Sequence, residues 1–592
     1  MNLDLTLRSE IQKAVSTLFN QEVEQLQIQP TNQEFEGSHT LVCFPLVKIS
    51  KKNPEQTATA IGEYLVANSG IVSRFNVVKG FLNLVIADNV WANVFSAIYA
   101  DKNFGVLANN GREVMIEYSS PNTNKPLHLG HLRNNFLGYS VAEIYKAVGY
   151  TVHKVQIIND RGIHICKSMA AWKLFGNGET PQSSGLKGDH LVGKYYVEFD
   201  KNYKAQIKEL IAQGVSEADA EKQASIMLLA QELLRKWEAK DEETIALWKT
   251  MNGWVYDGFA STYKRMGVDF EKLYYESNTY LLGKEEVLKG VEKGIFFKKE
   301  DGSVWVDLAS DGLDQKVLLR ADGTSVYMTQ DIGTAILRFK DFPKIEGQVY
   351  TVGNEQEYHF KVLFLILKKL GYAWAEKCYH LSYGMVDLPT GKMKSREGTV
   401  VDADDLMQEM ADEAEKQTRE LGKIEDATEE EIKSLSEMIG LGALKFFLLK
   451  VDPKKRMLFD PNESIQLQGH TGPFIQYTHA RIRAIIRKAE SMNIVAAVEN
   501  ITSLEPAERD VIFMLNNYIN KLNEAARDYS PAVIANFAFD LAKGYNQFYQ
   551  SIPIFNESDA AKLKFRIAFS QVVADVLKKS MRVLGIQVPE KM

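Results

Sequence analysis

The segment between residues 114 and 158 most constrains the fold. Residues 114–118 read as a strand and 152–158 as another. Between them, Leu129, Leu132, Phe136, Tyr139 and Ile144 recur at helical spacing over 129–147, and Gly149 ends the run. A strand–helix–strand unit of this length closes with its strands parallel and the helix crossing one face, so a doubly wound, Rossmann-like α/β sheet is expected. A second such unit begins near residue 348, with a helix over 356–370 and a strand over 379–385. The stretch between the two halves, about 170–309, reads as a largely polar-helical insertion with a Gly-rich section at 185–193.

A chain of 592 residues is too long for one core. Leu7, Ile11, Ala14, Val15 and Leu18 at helical spacing, then strand candidates at 40–47 and 80–86, predict an N-terminal α+β domain over 1–110. The turn Asn109-Asn110-Gly111 marks its end. The sheet domain then spans 111–452, and 453–592 reads as an all-α bundle with long helices at 475–489 and 511–526. The net charge of -7 does not favour nucleic acid, although a local basic face suffices for RNA. Cys43, Cys166 and Cys378 form no CxxC pair, which excludes a cysteine-rich zinc site or a disulfide framework and fits a reducing cytosol. The first ten residues lack the apolar core of a signal peptide, and the apolar stretch 440–449 is far short of the roughly 20 residues that span a bilayer.

The turn EYSSPNTNKPLHLGH, residues 117–131, joins the first strand to the helix. Helix N-termini offer unpaired N–H groups and a partial positive charge to phosphate. Gly130 would let a nucleotide lie against the backbone, and His128 and His131 project from one helix end. Read alone, the two histidines suit a zinc site or a plain surface equally well, but no cysteine or HExxH cluster accompanies them.

Here the chain resembles the class I aminoacyl-tRNA synthetases. His128-Leu-Gly-His131 is similar to their HIGH signature, and Lys392-Met-Lys-Ser-Arg-Glu-Gly398 to their KMSKS loop, with Ser395 and Arg396 departing from the consensus. Within the class it resembles the arginyl-tRNA synthetases over nearly its whole length. Ser120, Asn122, Pro126, Leu127, His128, Gly130, His131 and Arg133 meet one family pattern, and Tyr327 with Asp331 another. The segments Val352–His359 and Gly469–Arg481 match further family signatures, His470 standing where asparagine is usual.

The resemblance implies that arginine is activated by ATP, with Mg²⁺ accompanying the nucleotide, and is transferred to tRNA(Arg). Guanidinium recognition calls for carboxylates, because the group is always charged and carries five donors. By resemblance, Glu117 and Asp331 meet the guanidinium beside Tyr327, Asn122 and Gln356 meet the α-amino end, and His128 meets the carboxylate. Asp331 also reads as a helix cap. His128, His131, Gly130, Lys392, Met393, Lys394, Ser395 and Arg396 are the expected ATP and catalytic residues, with Lys125, three residues before the HIGH signature, standing in for the altered loop. Lys394 read alone is more often a solvated surface charge. Phe81 and Asn83 are expected at the tRNA elbow, a core place for Phe81 being the alternative, and Tyr477, Arg481, Tyr549 and Met592 at the anticodon surface. No protein-held metal is expected. A monomer in the cytoplasm, and activation that requires bound tRNA, are further implications. The competing readings are a nucleotidyltransferase of the HxGH type, a non-catalytic RNA-binding relative, and another class I synthetase such as the glutamyl enzyme, whose pocket should present arginine instead of carboxylates.

Overall fold

The computed structural model describes residues 3–32, 34–387, 389, 401–420, 427–499, 501 and 503–592. Strands β1 (Ile28–Pro30), β2 (His39–Val42), β3 (Val72–Val78) and β4 (Phe81–Ile86) form an antiparallel sheet in the order β1-β2-β4-β3, packed against the helices Leu3–Phe19 and Pro54–Asn68. The expected strand over 40–47 is shorter, because the chain turns into a 3-10 helix at Phe44–Leu46, with Pro45 near its start.

The central sheet is built from β5 (Glu113–Glu117), β6 (Thr151–Ile158), β7 (Lys272–Tyr275), β8 (Ile345–Gly353) and β9 (Cys378–Tyr383), all parallel, in the order β9-β8-β5-β6-β7. The strand order reverses at β5 and β8, so the crevice at their carboxyl ends is the place where such a sheet takes a ligand. Helix α1 (Leu129–Ala147) crosses from β5 to β6. It lies close to the sheet because Gly138 carries no side chain: a Cβ there would be 2.3 Å from the Cβ of Tyr118.

The stretch 170–309 is helical for much of its length, with α2 (Gly188–Ala212) and α3 (Glu242–Met266) its longest helices. It is not wholly an insertion, since it carries β7, the edge strand of the central sheet. A small antiparallel sheet of Phe297–Lys298, Val304–Val306 and Lys316–Leu319 follows, and then α4 (Tyr327–Asp341). Helix α5 (Ala403–Glu420) packs along the helix Glu429–Leu449.

Beyond residue 460 the described residues are helical, with α6 (Gly472–Ser491) and after it four further helices up to Val583. The expected helix over 511–526 is two helices, Pro506–Asn516 and Tyr518–Arg527, parted at Asn517. The last residues fold back along α6, where Gln476 donates to the Gln587 carbonyl at 2.8 Å and Arg483 pairs with Glu590 at 2.5 Å. One apolar core runs from the N-terminal helix through α1 into this bundle, with Phe95 edge-on to Phe565 at 5.2 Å. Asp88 fastens the same junction through Arg509 at 2.8 Å.

Gly138→Ala should lower the denaturation midpoint by the equivalent of about 1–3 kcal/mol, the usual cost of overpacking a close helix–strand contact. A midpoint equal to the parent's in a urea titration would show that α1 can move off β5 without penalty.

Candidate active site

The turn after β5 is drawn tightly onto the sheet edge. Ser119 adopts a left-handed φ of +63°, its N–H donates to Asn134 Oδ1 at 2.6 Å, and Asn134 in turn donates to the Thr351 carbonyl at 2.7 Å. One side chain of α1 therefore ties the ends of β5 and β8 together. Asn159, just past β6, donates to the Pro121 and Ser120 carbonyls at 2.9 and 3.1 Å and fixes the turn from the other side.

His128 is the N-cap of α1, and the two histidines cap the helix reciprocally. His128 Nδ1 accepts the Gly130 N–H at 3.1 Å, and His131 Nδ1 accepts the His128 N–H at 3.1 Å. Each Nδ1 is thus an acceptor, so the proton of each neutral ring resides on Nε2, and both rings are donors at that atom. The neutral form is strongly favoured. Burial, then the Lys125 charge, brings His128 down to about 4, while burial and the neighbouring His128 and Lys125 hold His131 well below its ordinary value. Gly130 has a further reason to be glycine: a Cβ there would lie 2.9 Å from His128 Cε1 and would displace the ring.

A segment from far along the chain lies against this turn. The Leu129 N–H donates to the Val401 carbonyl at 3.2 Å and the Ala403 N–H to the Leu127 carbonyl at 3.0 Å, with His128 bridged to Asp402. Lys392, Met393, Lys394, Ser395 and Arg396 lie outside the described residues. The start of α2 closes in from a third direction, where a Cβ on Gly193 would be 2.8 Å from Pro126.

The acidic residues gather at the same edge of the sheet. Asp331 is in the interior of α4, whose N-cap is Val326, so it does not start the helix as its sequence context suggested. Its carboxylate is partly exposed and accepts from His359 Nε2 at 2.6 Å. Tyr327, one turn earlier, is 75% exposed, and Asn122 and Gln356 are also exposed at this edge. Glu117 differs from expectation. It is buried at the end of β5 and already paired within the chain, with the guanidinium of Arg338 from α4, which also lies 5.1 Å from the Tyr274 ring. Burial raises the Glu117 carboxyl while Arg338 opposes the rise. Glu117 thus stands at the expected edge of the sheet, but with a guanidinium of the chain itself against it. Sequence reasoning missed Glu276, the first residue after β7. Burial pushes its carboxyl up to about 7, Arg161 opposes, and Asp160 and Asp331 add to the rise. Recognising β7 as a strand of the central sheet would have placed Glu276 at its carboxyl end.

Asp189, His190 and Asp404 bring ligand atoms within 4.8 Å of one another. The Lys187 ammonium already stands among them, in contact with Asp404 and 3.1 Å from Asp189, where a metal cation would have to bind.

Of the expected RNA contacts, Asn83 is buried: it accepts from Thr40 Oγ1 at 2.6 Å and donates to Asn76 Oδ1 at 2.7 Å inside the N-terminal sheet. Phe81 is half-buried and meets Phe44 edge-on at 5.5 Å, and Phe44 is 48% exposed. The helical domain does bring Tyr477, Arg481 and Tyr549 together, with the Arg481 guanidinium 4.8 Å from the Tyr477 ring and 5.9 Å from the Tyr549 ring. Met592 packs partly buried against the bundle core. Among the described residues, no helix is long and apolar enough to cross a membrane.

Comparison with known proteins agrees with this geometry. Residues 93–460 match the family "tRNA synthetases class I (R), catalytic domain", residues 475–592 the "DALR anticodon binding domain", and residues 5–86 the "Arginyl tRNA synthetase N terminal domain". The chain is 57% identical to the arginine–tRNA ligase of Flavobacterium psychrophilum and 55% identical to that of Amoebophilus asiaticus, covering the whole of each chain in both cases. Its fold is similar to the arginyl-tRNA synthetase of Thermus thermophilus, with a TM-score of 0.79 at 23% identity over 99% of this chain and 100% of that one. The Plasmodium falciparum arginyl-tRNA synthetase gives a TM-score of 0.77 at 18% identity over 99% of both. With a class I catalytic match over more than half the chain and relatives matched end to end, the chain belongs to the arginyl-tRNA synthetase family.

Proposed function

We propose that this protein joins L-arginine to the 3′ end of tRNA(Arg), using ATP and releasing pyrophosphate and then AMP. The observation that carries the reading is the pairing of two unlike ends on one sheet edge. At one end, a helix N-terminus presents two neutral histidines as Nε2–H donors. At the other, Asp331 lies near enough to Glu276 to help raise its carboxyl, after burial. The first end suits phosphate and the second suits a guanidinium.

In the first step the arginine carboxylate attacks the α-phosphorus of ATP, the bond to pyrophosphate breaks, and arginyl-adenylate forms. His128 and His131 donate through Nε2 to the oxygens on which charge develops. Lys125, with Lys392, Lys394 and Arg396 and backbone or hydroxyl contacts near Gly130, Met393 and Ser395, holds the triphosphate, whose Mg²⁺ arrives with the nucleotide. Positioning and charge neutralisation do the catalytic work, and no residue acts as a nucleophile. Asp331 and Glu276 receive the guanidinium beside Tyr327, over the floor made by Glu117 and Arg338, while Asn122 and Gln356 take the amino end. In the second step a ribose hydroxyl of the terminal adenosine attacks the arginyl carbonyl and AMP departs, taking up the proton. Phe81 with Phe44 supplies a stacking face for the tRNA elbow, and Tyr477, Arg481 and Tyr549, near Met592, supply the anticodon surface. The working unit is a monomer in the cytosol, and tRNA is bound before activation.

Charging total tRNA with each labelled amino acid should place arginine alone on tRNA. Transfer of a different amino acid, or none by folded protein, would overturn the reading. Asp331→Asn should lower kcat/KM for arginine about 100-fold or more, in line with the loss of one partner from a desolvated charge pair, and leave the KM for ATP near that of the parent. An unchanged KM and kcat for arginine would remove Asp331 from the pocket.

His128 also gives a pH signature. Its folded value of about 4 lies below its ordinary 6.5, so between those values the unfolded chain binds a proton that the folded chain excludes. Stability therefore falls as pH drops through that window. His128→Asn keeps a capping acceptor but cannot take up the proton, so the midpoint should vary less steeply from pH 6.5 to 4. Equal slopes in parent and variant would show that His128 is not held neutral by the fold.

A further inference from the structure

The start of α2 and the segment entering α5 meet in a compact knot of charge beside the catalytic turn. His190 Nε2 lies 3.2 Å from Asp402 Oδ2 and 3.5 Å from Asp404 Oδ2. Lys187, on the same helix start, contacts Asp404 and donates to Thr262 Oγ1 of α3 at 2.5 Å. The other oxygen of Asp402 caps α5, accepting the Asp404 and Asp405 N–H groups at 2.8 and 3.2 Å. Asp402 is also the residue bridged to His128, flanked by the two backbone bonds that join Leu127 and Leu129 to Ala403 and Val401. A side chain from the insertion thus stands at ion-pair distance from the residue lying directly against the first histidine of the catalytic turn.

We infer that His190 is a positioning residue for arginine activation, holding Asp402 so that the segment 401–403 keeps His128 aligned on the α-phosphate. This rests on the function proposed above and adds a residue without substrate contact to it. His190 is protonated at neutral pH, because Asp402 and then Asp404 raise it to about 10 against the opposing effect of burial. Burial alone would raise Asp404, but His190 and Lys187 outweigh it and bring its carboxyl to about 2. The knot therefore sets two cations against Asp189, Asp402 and Asp404. Without the imidazolium, Lys187 is the cation that remains to them among the described residues, and Asp402 loses the charge facing its second oxygen. His190 keeps 29% of its side chain exposed.

The test uses the full-length protein with tRNA present, and reads arginine-dependent ATP–pyrophosphate exchange alongside thermal melting. His190→Gln, which removes the charge at similar size, should lower kcat about tenfold with little change in the KM for arginine, misalignment in such sites costing up to about 100-fold. Its melting temperature should stay near that of the parent. His190→Arg should recover most of the rate, since it restores a cation facing Asp402. In a cycle with Asp402→Asn, the double variant should be no slower than the slower single variant, as expected of two residues acting as one unit. A parent-like kcat in His190→Gln, losses that multiply in the double variant, or a loss that tracks the unfolded fraction would overturn the inference. Failure of the parent protein itself to exchange or charge arginine would instead overturn the function on which it rests.

Discussion

The reciprocal cap made by His128 and His131 is the interaction on which the site depends. A helix end leaves its first N–H groups without partners, and these two histidines use their Nδ1 atoms to satisfy them. The same act selects the tautomer that leaves Nε2–H free to face a ligand. Structural and chemical roles are therefore not alternatives here, since a ring turned to release its cap would also lose its donor. Gly130 belongs to the same device, because any side chain there would collide with His128. Keeping both rings neutral follows from burial beside Lys125, and the positive charge that phosphate needs is left to lysine and the helix end.

The sheet decides what this device faces. With the strand order reversing at β5 and β8, the turn 117–131 and the residues after Gly353 open onto one crevice. Asn134 enforces the arrangement by holding Ser119 in its left-handed conformation and reaching across to Thr351. A strained residue of this kind persists only where its surroundings determine it, and here three strand ends converge on one amide: Asn134 also donates to Tyr383 at 3.1 Å, on β9.

Much of this was legible in the sequence, for particular reasons. The unit from β5 to β6 announces itself because its helix is long, strongly periodic and bounded by a distinctive turn. The helical C-terminal region is legible on the same grounds. β7 was not, since a four-residue strand after a long helix has too few residues to display a period of two. Glu276 went unnoticed for that reason alone: its meaning comes from standing at the end of β7. The pairing of Glu117 with Arg338 was hidden too, because nothing local in either segment marks the other as a partner. The hydrogen bonds of Asn83 to Thr40 and Asn76 on neighbouring strands were equally invisible in the sequence. In each case the missing information was tertiary.

The Glu117–Arg338 pair bears on selectivity. A pocket that must accept guanidinium needs negative charge, but several uncompensated buried carboxylates would repel one another and protonate. The chain neutralises Glu117 with its own Arg338, while Asp331 and Glu276 stay partly exposed, the two carboxylates that the proposed function gives to the ligand. Glu276, held near 7, is poised so that an arriving cation favours its ionised form. On the proposed function, binding the correct side chain adds a cation beside Asp331 and Glu276, which an uncharged analogue would not supply. Discrimination in such a site comes from the cost of the unpaired state as much as from the contacts made.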